Sequence, residues 1–179
     1  HTPRLLAHIA ALRPTWVGVM DGVGLAQDIR RVSPNTQVWH RAYPEGGDET
    51  IWQRLSPAEW VARTAAELKG TDLWAYCLNE PGFDDEMLIW LCNVIELAQP
   101  HGLKLVVGNF SVGTPEPDQW NKATARRLLE LCDAYRTTVI LALHEYAGGV
   151  ITSGFIGGAP NSTQYHRDFI PVANWPSAA

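Results

Sequence analysis

Residues 73–81 read Leu73-Trp74-Ala75-Tyr76-Cys77-Leu78-Asn79-Glu80-Pro81. The first six residues are all apolar, which is typical of a strand buried on both faces. Such strands belong to parallel sheets that are covered by helices. The run then stops at a carboxamide, a carboxylate and a proline, and the carboxyl end of a strand is where α/β barrels place their chemistry. This stretch therefore predicts an α/β fold with a functional site at the end of its strand.

Similar apolar stretches lie on both sides of this one. We predict strands over residues 16–21, 37–43, 72–79, 103–108 and 138–143, separated by helical patterns over residues 5–12, 25–32, 57–69, 84–99 and 117–135. The third helix has a complete start signal, because Ser56-Pro57-Ala58-Glu59 is a capping box with proline at the first helical position. Alternating strands and helices indicate a parallel α/β sheet.

The alternation stops after Tyr146. Residues 147–179 are irregular and rich in glycine, apart from a weak helical pattern over residues 163–169. An irregular segment of this length is usually functional or disordered. A chain of 179 residues fits one domain, so we assign residues 1–179 to a single (β/α) domain.

Composition narrows the class of partner. A net charge of -5 without a cluster of lysines and arginines argues against nucleic acid. No apolar run reaches the roughly 18 residues that a membrane span needs. Cys77, Cys92 and Cys132 lie within apolar patterns, which predicts buried thiols rather than disulfides or metal ligands. No cofactor is expected, and the residues indicate no oligomeric state.

Polar or aromatic residues follow every predicted strand. They are Asp21; His40, Arg41 and Tyr43; Asn79 and Glu80; Asn109 and Ser111; and His144, Glu145 and Tyr146. Because the carboxyl ends of parallel strands share one edge of the sheet, we expect a polar cleft that suits a carbohydrate. Two alternatives stay open: a solvated rim of caps and turns, and a Glu80 that only caps the next helix.

Three motifs in a fixed order carry a resemblance to a known family. Leu78-Asn79-Glu80-Pro81 is followed by Val107-Gly108-Asn109-Phe110-Ser111-Val112-Gly113-Thr114-Pro115-Glu116 and then by Leu143-His144-Glu145-Tyr146. Together they resemble a group of bacterial glycosidase-like proteins in the clan of retaining glycoside hydrolases with TIM-barrel folds. The resemblance extends over most of the chain up to Tyr146. It implies a (β/α)8 barrel, hydrolysis of O-glycosidic bonds in a carbohydrate, and an extracellular or secreted location.

The resemblance also assigns strand numbers. In that clan an Asn-Glu pair ends barrel strand four, so the five predicted strands become strands two to six. Strand one would then precede His1, and strands seven and eight would follow the glycine-rich segment, which implies an incomplete barrel. The clan's nucleophile is a glutamate at the end of strand seven, whereas Asp168 is the one acidic residue after Glu145.

Roles for individual residues follow from the resemblance. It makes Glu80 the acid/base, and a carboxylic acid beside an apolar strand end is expected to have the raised pKa that a general acid needs. Asn79 would bind the sugar 2-hydroxyl. Glu145 is the fallback nucleophile, although alternation turns it away if His144 and Tyr146 face the cleft as substrate contacts. If Glu145 did face inward, a wider spacing between its carboxyl group and that of Glu80 would suit an inverting mechanism.

Four further residues at strand ends are candidates for the site. Asp21 and Asn109 are candidate substrate-binding residues, and His40 and Arg41 are candidates for binding sugar hydroxyls or for holding Glu80 in its protonation state.

The main alternative is a non-catalytic carbohydrate-binding or structural barrel fragment without the nucleophile. A metal-dependent hydrolase that uses Asp21, His40, His144 and Glu145 is a third interpretation, but their spacing matches no well-attested metal motif.

Overall fold

The computed structural model describes residues 2–20, 22–43, 50–110, 115 and 117–143. Within that part of the chain the helices are α1 (Thr2–Leu12), α2 (Val23–Val32), α3 (Thr50–Gln53), α4 (Pro57–Glu67), α5 (Asp85–Ala98) and α6 (Ala123–Ala134). The strands are β1 (Trp16–Met20), β2 (Gln37–Arg41), β3 (Trp74–Tyr76), β4 (Lys104–Phe110) and β5 (Val139–Leu143). Short 3₁₀ helices span Gln99–His101 and Pro117–Asn121.

The five strands form one parallel sheet in the order in which they occur along the chain. Every crossover therefore moves the chain in the same direction. Because crossovers between parallel strands are right-handed, a sequential order puts the connecting helices on the same face of the sheet. The predicted α/β class with a parallel sheet is confirmed.

One face of the sheet, the helix-covered face, forms the main core. Alternate strand residues point into it, namely Val19, Val38, Ala75, Leu105, Val107 and Val139. They pack against the helices, and α5 alone contributes the fully buried Leu88, Leu91 and Ile95. Burial of each such aliphatic side chain stabilises the fold by about 1.5–3 kcal/mol, so the helices are held to the sheet mainly along this face.

The opposite face, the aromatic face, has a different composition. Trp39, Trp74 and Tyr76 pack there with Val106, Ile140 and Ala142 in a second, smaller cluster. Trp16 meets Trp74 edge to face at a centroid distance of 5.4 Å. Gly18 makes room for this packing, since a Cβ at that position would lie 1.9 Å from the Trp39 indole. Period-two alternation thus puts mainly aliphatic strand residues on the helix-covered face and places Trp39, Trp74 and Tyr76 together on the other.

The helix starts agree with their sequence signals. The Ser56 hydroxyl accepts from the Glu59 amide at 3.3 Å and the Glu59 carboxylate accepts from the Ser56 amide at 2.9 Å, which completes the predicted capping box of α4. Helix α5 is capped by Asp84, whose carboxylate accepts from the Met87 amide at 2.8 Å.

Other predictions are met in part. The thiols Cys77, Cys92 and Cys132 are all buried and free, as predicted. Strand β3 is shorter than the predicted 72–79, and no sequence pattern predicts α3. No helix in the described ranges is long and apolar enough to cross a bilayer. The glycine-rich residues 147–179 lie outside the described residues.

Candidate functional site

The candidate site lies where β3 ends. Beyond Tyr76 the chain still follows β4, because the Cys77 amide donates to the Val106 carbonyl at 2.9 Å and the Glu80 amide donates to the Asn109 carbonyl at 3.1 Å. Glu80 has a φ of 47°, in the left-handed region that side chains other than glycine rarely adopt. Its side chain is exposed, so it lies at the surface and not among the apolar residues of the strand.

Glu80 is not the cap of the helix that follows. Asp84 takes that role, four residues further along the chain. The alternative in which Glu80 only caps a helix is therefore wrong for this chain. The carboxylate stands in a turn between β3 and α5, and its backbone is fixed by a partner on the neighbouring strand.

Asn79 belongs to a polar group at the end of the aromatic face. The Tyr76 hydroxyl donates to the Asn79 carboxamide oxygen at 3.3 Å. The Arg41 guanidinium lies over the Tyr76 ring at 5.5 Å from its centroid, and the Trp39 ring lies 4.8 Å from that centroid. Asn79 and Arg41 are both partly exposed while Tyr76 is buried. Amide and guanidinium N–H groups placed this way can donate to the hydroxyls of a bound sugar.

His40 and Arg41 lie on opposite faces of the sheet. His40 is only 3% exposed, and its Nε2 atom is 3.8 Å from a carboxylate oxygen of Glu67, the last residue of α4. Arg41 lies on the aromatic face over Tyr76. The structure therefore brings Arg41 and Asn79 together at one site and places His40 on the helix-covered face. That burial argues against a direct sugar contact by His40.

Asn109 is buried as well. It is 0% exposed, with a φ of 50°, and it occupies an irregularity in β4 between Gly108 and Phe110. Its side-chain amide donates to the Leu78 carbonyl at 2.8 Å and to the Val106 carbonyl at 3.3 Å. A side chain with these backbone partners and no exposed surface does not fit the predicted direct contact with substrate.

The remaining predicted site residues lie outside the described residues. They are Asp21, His144, Glu145 and Tyr146. Their roles stay predictions, including that of Glu145 as fallback nucleophile. Within the described ranges no three histidine, cysteine, aspartate or glutamate side chains are grouped as metal ligands would be.

Tyr76 is a site residue that the sequence reasoning missed. The sequence predicts Tyr76 only as part of an apolar strand. In the structure its hydroxyl donates to Asn79 and its ring lies under Arg41. The signal was present in the spacing, since Trp74 and Tyr76 are two residues apart and must share a face. Register with β2 then aligns Trp39 with Trp74, which identifies the aromatic face.

Comparison of the chain with protein-family models, curated proteins and solved structures gives no significant match.

Proposed function

We propose that this chain carries the acid/base side of a retaining glycoside hydrolase site, with Glu80 as the acid/base. The observation that carries the proposal is the position of Asn79 and Glu80. They follow a central strand of a parallel sheet at its carboxyl end, where Tyr76 donates to Asn79 and lies under Arg41. Polar groups from neighbouring strand ends are the usual source of an active site in α/β barrels.

The proposal includes a (β/α)8-type barrel, in which β1 to β5 are strands two to six. Sequential strand order supports it, because a doubly wound sheet reverses its order at a switch point whereas a barrel does not. The aromatic face would then line the barrel interior. Side chains fill such an interior in layers, which is consistent with the cluster of Trp39, Trp74 and Tyr76 on that face.

Each residue has a distinct chemical task in the proposed reaction. Glu80 protonates the glycosidic oxygen while a second carboxylate attacks the anomeric carbon, and it then removes a proton from the water that hydrolyses the glycosyl-enzyme. The exposed position of Glu80 gives a glycosidic oxygen access to it. Asn79 donates to the 2-hydroxyl and Arg41 donates to a further hydroxyl. Glu145 supplies the nucleophile.

Aryl glycosides with different leaving groups test the role of Glu80. A general acid contributes about 10²–10⁴-fold to the rate when the leaving group needs a proton. Glu80→Gln should therefore lose about that factor in kcat/KM with an alkyl or phenyl leaving group. It should lose much less with dinitrophenolate, which leaves without protonation. Glu86→Gln, which changes an exposed carboxylate in the first turn of α5, is the matched control and should retain full activity.

Two results would contradict this assignment. Equal, nonzero hydrolysis by wild type and Glu80→Gln would rule out Glu80 as the acid/base. A loss of activity that is the same for every leaving group would assign Glu80 to substrate binding or structure instead.

A non-catalytic carbohydrate-binding fragment is the second candidate. It is favoured by one observation: Asn79, Tyr76 and Arg41 form a polar group beside the Trp39 ring, which can bind a sugar without a second carboxylate. This candidate predicts that oligosaccharides bind without turnover. Calorimetric titration with wild type and Asn79→Ala distinguishes the two functions, because binding that depends on Asn79 without any hydrolysis supports the binding module.

A further inference from the structure

We infer that Asn109 is a positioning residue that fixes the backbone of Glu80, and not a residue that touches the sugar. The inference deepens the proposed function and rests on it for the catalytic importance of Glu80. Its structural part concerns only the hydrogen bonds between β4 and the residues that follow β3.

Asn109 holds the chain on both sides of Asn79. Its side-chain amide donates to the carbonyl of Leu78, at 2.8 Å, and its main-chain carbonyl accepts from the amide of Glu80, at 3.1 Å. We call these two hydrogen bonds the Asn109 clamp. The clamp acts beyond the last residue of β3, where the regular ladder has ended. One residue therefore determines where both Asn79 and Glu80 leave the sheet.

The backbone at both ends of the clamp is in the left-handed region. The φ angles are 47° for Glu80 and 50° for Asn109. Asparagine adopts this region more readily than most residues, whereas glutamate does so only at an energetic cost. The conformation of Glu80 must therefore be imposed by its surroundings, and the clamp supplies hydrogen bonds that impose it.

The shape of β4 brings Asn109 into position. Gly108 has a φ of 86°, and a Cβ there would lie 2.7 Å from a methyl carbon of Leu141. The register with β5 shifts between Gly108 and Phe110, so Asn109 is the extra residue of a bulge. Bulges redirect one side chain out of its regular alternation. Here the redirected side chain is the one that reaches the Leu78 carbonyl.

The burial of Asn109 favours a positioning role. The carboxamide oxygen accepts no hydrogen bond from the residues that the structure describes, although it is fully buried. A buried acceptor left in this state costs stability, and the hydrogen bonds that the side-chain amide donates offset that cost. Asparagine at this position is explained by the two carbonyls to which its amide donates.

Asn109→Gly removes the side-chain half of the clamp and still permits a positive φ. The amide of Glu80 should then exchange with solvent about tenfold faster than in wild type, measured by NMR. The amide of Leu105 is an internal reference, because it donates to the Thr138 carbonyl, to which the Asn109 side chain makes no hydrogen bond. Its exchange should not change. The substitution alters no sequence neighbour of Glu80, so the intrinsic exchange rate of that amide is the same in both proteins.

Hydrolysis gives the second readout. A displacement of about 1 Å in a catalytic group costs about a hundredfold in rate. We expect Asn109→Gly to lower kcat about a hundredfold while KM changes less than about threefold. Phe110→Leu is the matched control, because Phe110 is the next residue of β4 and its ring packs against Phe83 and Trp120. It should lower stability and leave both kcat and the ratio of the two exchange rates near wild type.

The two readouts separate failure of the inference from failure of the proposed function. If wild type hydrolyses no glycoside, the proposed function fails for this chain, and the exchange of the Glu80 amide still decides whether the clamp exists. The inference is overturned if the Glu80 amide exchanges as in wild type, or if exchange of the Leu105 amide accelerates by the same factor. It is also overturned if Asn109→Gly raises KM and leaves kcat unchanged, because that would make Asn109 a substrate contact.

Discussion

The two faces of the sheet are built from the same strands but have different tasks. The helix-covered face is aliphatic, and its strand residues are packed into the main core under α2, α4, α5 and α6. The aromatic face carries Trp39, Trp74 and Tyr76 beside smaller aliphatic residues, and it ends in a polar group in which Arg41 lies over Tyr76 and Tyr76 donates to Asn79. Adjacent residues such as His40 and Arg41 therefore have unrelated surroundings. We therefore expect that substitutions can change the stability of this sheet and its candidate chemistry separately.

A matched pair of valines gives the largest expected effect and tests this separation. Val107 is fully buried on the helix-covered face, and Val106 lies next to it on the aromatic face. Val107→Ala removes two methyl groups from the main core and should lower the free energy of unfolding by about 2–3 kcal/mol. Val106→Ala should cost about 1 kcal/mol, because its smaller cluster can collapse more easily. Urea denaturation measures both.

Because both variants make the same substitution in one strand, the change in strand propensity cancels between them. Equal losses would mean that the aromatic face is packed as tightly as the helix-covered face. The comparison between the two faces would then fail.

Gly18→Ala should disturb the aromatic face alone. Its methyl group would overlap the Trp39 indole, so the indole must swing away from Tyr76. Loss of that ring contact should destabilise the protein by about 1 kcal/mol. The near-ultraviolet circular dichroism and the tryptophan fluorescence should change clearly. Gly24→Ala is the control, because a Cβ at Gly24 meets no atom within 4 Å. Unchanged spectra in Gly18→Ala would show that Trp39 does not lie over Gly18.

Tyr76→Phe should have the smallest effect on stability and the most local one. It removes the hydroxyl that donates to Asn79 and leaves the ring under Arg41. The free energy of unfolding should fall by about 0.5–1 kcal/mol, the net worth of an ordinary hydrogen bond. Affinity for an oligosaccharide should fall several-fold, because Asn79 loses its fixed orientation. An unchanged affinity, measured by calorimetry beside Asn79→Ala, would remove Tyr76 from the site.

The fold class could be predicted because its signals are local. Continuous apolar runs such as residues 73–78 indicate strands buried on both faces, and the Ser56 capping box marks the start of α4 to the residue. The position of Asn79 and Glu80 at a strand end also follows from a local pattern. These signals depend on a few consecutive residues, which is why the elements predicted from them agree with the structure.

The inner geometry of the site could not be predicted in the same way. The sequence does not indicate whether His40 or Arg41 faces the helices. It therefore predicts the same role for both residues, that of contacting sugar hydroxyls or Glu80. Asn109 was expected to meet substrate because polar strand-end residues often do, and its burial depends on a bulge that no sequence pattern signals. The positive φ of Glu80 depends in the same way on a partner 29 residues away in the chain.

The three buried thiols have a consequence for how this protein can be studied. Burial raises the pKa of Cys92 to about 11 and that of Cys132 to about 12, and it raises the pKa of Cys77 as well. Since only the thiolate attacks an alkylating reagent, the native chain should react very slowly at neutral pH. Alkylation of a thiol would then show that the structure around that cysteine had opened locally. Cys77 lies between β3 and Asn79, so its modification reports the opening of the segment that carries the candidate site, and Cys92 and Cys132 report the loosening of α5 and α6.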